Sequence, residues 1–69
     1  MVAPGSPSET AFGEFVELYR RFFAASDYGA TVERAVARDI EDAYGYWIGR
    51  LGRDVAERLK LAARWAVER

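Results

Sequence analysis

The chain has no cysteine, histidine, asparagine or glutamine, and its one methionine is residue 1. Without thiols or imidazoles it has no means of forming disulfides or the usual structural zinc sites. It also lacks thiolate and imidazole nucleophiles and the commonest general base. The missing amides, together with a charged fraction of 30%, match the composition of hyperthermophile proteins, in which thermolabile residue types are rare. Nine arginines against one lysine, with twelve alanines and six glycines, would also follow from a GC-rich genome. That bias does not account for the complete loss of glutamine, histidine and cysteine, so a hot habitat is the expectation.

Long apolar runs are absent as well. The central stretch without charge, Ala43 to Gly49, is seven residues, against the 18 or more that a membrane span needs. The opening MVAPGSPSE has neither a basic nor an apolar region of the signal-peptide kind. The expected location is the cytoplasm, or a particle such as a virion assembled there. At 69 residues the chain holds one small domain, and half of it is apolar, far too much for a disordered tail. A domain of this size is marginal without staples, and with disulfides and zinc excluded the remaining staple is oligomerisation.

Ser6, Pro7 and Glu9 combine a capping hydroxyl, a proline at the first helical position and a glutamate placed to close a capping box. From there Phe12, Phe15, Val16, Tyr19, Phe22 and Phe23 recur at three and four, opposite Glu14, Glu17, Arg20 and Arg21. This predicts helix 1 over about 7–26, ended by Ser26-Asp27-Tyr28-Gly29, with an extended tail over about 1–6. Thr31 is a candidate second cap, and no proline follows Val32. Val36, Ile40, Ala43, Tyr44, Trp47, Ile48, Leu51, Val55, Leu59, Ala62 and Ala66 keep one helical phase, which predicts a continuous helix 2 over about 32–68, ~55 Å long.

The expected fold is therefore all-α: a helical hairpin, short helix 1 against long helix 2, packed into an oligomer or helical array. The alternative is a three-helix bundle with a break near Gly49–Gly52, in which Asp54 and Glu57 cap the last helix. In the hairpin, helix 1 reaches only to about Gly49 or Gly52, so Leu59, Leu61 and Trp65 project beyond it as interface anchors. Gly45, Gly49, Gly52, Ala56 and Ala63 fall on one narrow stripe, a face for close helix packing between copies. Glycines inside a helix cost ~1 kcal/mol each relative to alanine, which close packing would have to offset.

Charge is divided along the chain, net −4 over residues 1–42 and +3 over 43–69. Acidic and basic ends of this kind complement helix dipoles, as Asp54 and Arg58 at i,i+4 would complement each other. They also favour antiparallel or head-to-tail packing of copies. Arg50, Arg53, Lys60 and Arg64 line one flank of helix 2 and are the candidate nucleic-acid contacts, with Glu57 in the same row. Catalytic constellations are poor: Asp39 with Asp42 and Glu14 with Glu17 are carboxylates three apart on exposed helices, and no phosphate loop, nucleophile elbow or metal box is present. Trp47 and Trp65 are better read as core or interface residues than as ligand contacts.

The run Gly52-Arg53-Asp54-Val55-Ala56-Glu57-Arg58-Leu59-Lys60-Leu61-Ala62-Ala63-Arg64 resembles the long central helix of archaeal histones, where a GRDI run precedes alanines and a KLA sequence. The resemblance covers about a fifth of the chain and implies a small dimeric nucleic-acid-binding protein; no DNA-binding residue is carried over. The first expectation is instead a self-assembling structural protein, a coat or filament subunit such as the virion coat protein of a virus with a hyperthermophilic host, enclosing nucleic acid. The alternatives are the histone-like dimer and a helical adaptor or membrane-surface module. No enzymatic activity, cofactor, metal or small-molecule substrate is expected, and the partner is the chain itself, with nucleic acid along the basic flank.

Overall fold

The computed structural model describes residues 6–68 as three helices, α1 (Pro7–Ala25), α2 (Ala30–Leu51) and α3 (Arg53–Glu68), with no strand among the described residues. Each helix packs on both of the others. The extended tail expected over about 1–6 lies outside the described residues except for Ser6. That residue caps α1 as its chemistry dictates: its hydroxyl accepts from the Glu9 N–H at 3.4 Å and Pro7 opens the first turn. At the other end of α1, Asp27 and Tyr28 donate to the carbonyls of Ala24 and Ala25, tightening the last turn before Gly29.

The continuous helix expected over 32–68 does not form, and the three-helix alternative is the one that fits. At Gly52 the backbone takes φ +91° and ψ 155°, a region open essentially to glycine alone. The Gly52 N–H still donates to Ile48 at 2.9 Å, closing α2, while its carbonyl accepts from Ala56 at 3.0 Å, opening α3. One residue thus ends one helix and begins the next. Gly29 repeats the device at the first turn, with φ +108° and its carbonyl accepting from Glu33. Gly29 therefore occupies the N-cap position expected for Thr31.

The reversal at Gly52 shifts the helical phase. Val55, Ala62 and Ala66, in register with the α2 core face on a continuous helix, are exposed. Ala56 and Ala63 take their place at zero exposure, with Leu59 and Val67 half-buried beside them. Spaced by two turns, the two alanines let α3 approach the α1–α2 pair closely. Phe15, Tyr19, Ile40 and Trp47 supply the bulk of the core, and among the described residues Phe15 is the one fully buried large side chain. The Trp47 indole N–H donates to the Glu14 carboxylate at 3.0 Å, joining α2 to α1 and satisfying the one polar atom of a ring that is otherwise buried.

The glycines separate by the same geometry. Gly45 and Gly49 lie on the outer face of α2, where an added Cβ would meet nothing within 4 Å, whereas Gly52 is constrained by its dihedral angles. Gly49→Ala should therefore raise the stability of the dilute protein by about 0.5–1 kcal/mol. Gly52→Ala, with equal space around it, should lower stability by about 1 kcal/mol or more because its backbone is incompatible with a Cβ. Paired thermal and urea denaturation of the two variants checks both signs.

Candidate assembly surface

The helix α3 is apolar on two sides. Its inner side, Ala56, Leu59, Ala63 and Val67, belongs to the core just described. At 100° per residue Arg58, Leu61, Ala62 and Trp65 fall on the opposite side and Val55 on its flank, and all five are exposed. Trp65 is 73% accessible and Leu61 52%, and with Arg58 and Ala62 they line an open groove of about 460 Å³. A tryptophan left this open is unusual for a side chain that normally buries most of its surface. No ion pair engages Arg58 among the described residues, and the Asp54 partner expected at i,i+4 is not used.

Of the three expected anchors, Leu61 and Trp65 stand in solvent while Leu59 packs on the core. The reason for the difference is the turn at Gly52. No overhanging end of helix 2 exists, because α3 folds back along α1 and α2. Exposure at 61 and 65 follows from which side of α3 they occupy. Val55, Arg58 and Ala62 complete the surface and were missed because their phase can be read only once the helix is broken at Gly52.

A second apolar groove, about 260 Å³, lies at the first turn, lined by Ala24, Ala25, Tyr28, Val32 and Val36 with Arg21 at its edge. Tyr28 there is 76% exposed. The stripe of small residues does not act as one face: Gly45 and Gly49 point outward from α2, Gly52 makes the turn, and Ala56 and Ala63 pack within the chain.

Of the four basic residues, Arg53, Lys60 and Arg64 share one flank of α3, while Arg50 lies on α2. Lys60 bends inward, 3.7 Å from the Glu41 carboxylate and 4.3 Å from the centre of the Tyr44 ring. The Arg64 Nε donates to Glu68 at 2.9 Å, and this bond is the main reason its pKa is raised. Arg50 lies over the Tyr46 ring on α2, and Arg53 opens α3. The 52–64 run that resembles the histone central helix thus forms the turn and most of a sixteen-residue final helix.

Lys60 and Arg64 border a third groove, of about 260 Å³, with Tyr19, Phe22, Ala37, Ile40 and Glu41. Burial raises the Tyr19 phenol above its ordinary value of 10.0; Glu41 and Glu68 add to the rise and Arg64 opposes it. Among the described residues no group of three acidic side chains is disposed to hold a metal, and no helix is long and apolar enough to cross a membrane. No known family, characterised protein or solved structure matches the chain.

Two expectations follow. Leu59→Ala should cost about 1–2 kcal/mol of stability in the dilute protein, whereas Trp65→Ser should change it by less than about 0.5 kcal/mol; chemical denaturation separates them. Because the folded state favours the neutral Tyr19 hydroxyl, its contribution is complete below pH 10 and is lost as pH rises through the higher folded value. Tyr19→Phe should flatten that part of the alkaline fall in melting temperature, read by thermal scans between pH 8 and 11.

Proposed function

We propose that the protein is a self-assembling structural subunit of a coat or filament, and that the outward side of α3 is its principal joint. The exposed Trp65, with Leu61 beside it and Val55 on the flank of the same helix, carries this reading. An apolar helix face of this kind marks an association surface.

Two further features support it. Among the described residues four of the eight buried apolar side chains are alanine, so a partner would add stability to a small single chain. The Tyr28–Val32 groove offers a second contact on different helices. One self-complementary face closes at a dimer; two distinct faces allow copies to continue into an open array.

A virion coat of a virus with a hot host is the specific form we infer, on the strength of small size, the absence of thermolabile amides and the lack of catalytic groupings in the sequence. In such an array Arg50 and Arg53, repeated from copy to copy, would face the nucleic acid. A free nucleic-acid-binding dimer is the weaker reading, since Lys60 and Arg64 are engaged with Glu41 and Glu68.

Sedimentation and electron microscopy across a concentration series test the proposal. The wild-type chain should show concentration-dependent association, and Trp65→Ser should shift its onset at least about tenfold higher, the equivalent of ~1.4 kcal/mol per joint. A monodisperse 7.8 kDa species at every concentration would exclude it.

A further inference from the structure

The outward side of α3 is arranged to fit a copy of itself. Val55, Arg58, Ala62 and Trp65 follow one another at steps of three, four and three, the spacing of a helix-pairing seam, and Leu61 flanks it. We propose that two copies pair through this seam antiparallel, about a two-fold axis level with residue 60. Each Trp65 then packs against the partner's Val55, and each Arg58 lies beside the partner's Ala62. This rests on the self-assembly reading above and adds the occupant and orientation of its joint.

Size complementarity and the placement of a cation on an aromatic face both select this arrangement. Antiparallel pairing sets the largest side chain of the seam, Trp65, against the smaller Val55, and the long Arg58 against Ala62, so that no layer is doubly large. Helical side chains lean toward the N-terminus of their own helix, which carries the Arg58 guanidinium onto the face of the partner's Trp65. Arg58 has no competing acid among the described residues, and the fold already seats Lys60 over Tyr44 and Arg50 over Tyr46 in the same manner. A parallel pairing would instead put Arg58 on Arg58 and leave both Trp65 rings without a cation.

From Val55 to Trp65 the seam runs about 15 Å, shorter than standard interfaces of roughly 800 Å² per partner require. The joint is therefore a weak one, suited to a subunit held by repetition.

Because the chain has no cysteine, an introduced one is its only thiol. In the antiparallel pair, residues 62 of the two copies are offset by about 6 Å along the axis and residues 55 by about 15 Å; in a parallel pair both offsets vanish. Both positions are exposed, so Ala62→Cys and Val55→Cys should fold, which circular dichroism at low concentration verifies. With a short bifunctional thiol reagent, Ala62→Cys should form dimer at least about tenfold faster than Val55→Cys. Adding Arg58→Glu to Ala62→Cys should slow it about tenfold again. Equal linking at both positions, or linking unaffected by Arg58→Glu, overturns the antiparallel Arg58–Trp65 joint. Association without linking at either position assigns assembly to another face and overturns the joint while leaving self-assembly intact. A chain that neither links nor associates at any concentration overturns both.

Discussion

The single backbone conformation at Gly52 governs the rest of the molecule. With φ +91° it ends the hydrogen-bond ladder of α2 and starts that of α3 within one residue, leaving no loop in which the change of direction could be distributed. Everything C-terminal to it depends on this reversal. It brings α3 against both α1 and α2, sends Ala56 and Ala63 into the core and turns Trp65 and Leu61 to the outside. A residue with a Cβ would resist that conformation, and a chain that ran straight through would expose the apolar surface that α3 covers on α1 and α2.

The helices that result are held by few large contacts. Alanine at 11, 25, 56 and 63 allows close approach but contributes little buried area, so the hydrophobic stabilisation comes from Phe15, Tyr19, Ile40 and Trp47 and from the half-buried apolar side chains packed around them. Such economy explains why the bond from the Trp47 indole to Glu14 matters: leaving that N–H unpaired within so small a core would cost a sizeable part of the total stability. It also sets the background for the exposed side of α3. A domain with little stability of its own gains proportionally more from a partner than a large one does.

Electrostatics follow the same inward turn. Lys60, read from sequence as part of a basic flank, rests between Glu41 and the face of Tyr44 once α3 lies along α2, and Arg64 is held by Glu68. Surface pairs of this type add little to stability, yet they reduce the positive field available to a phosphate backbone. Arg58 keeps its charge unengaged among the described residues, and it does so beside Trp65, the one aromatic ring of α3.

Much of this was legible from residue order alone, for physical reasons that are local. The start of α1 is written in Ser6 and Pro7, its end in Gly29, and the core faces of α1 and α2 in a period that needs no knowledge of neighbours. The choice between a straight second helix and a broken one was not legible. The apolar phase of residues 36–51 runs through Gly52 without a visible slip, and glycine tolerates both outcomes at a cost of only about 1 kcal/mol in a helix. Tertiary packing decided it, because folding α3 back buries Ala56, Leu59 and Ala63 against two helices, where a straight extension would have left them in water. The sides of α3 were fixed by the same event: sequence determined that Leu61 and Trp65 share a helix, and only the reversal at Gly52 determined that they face outward while Leu59 faces in.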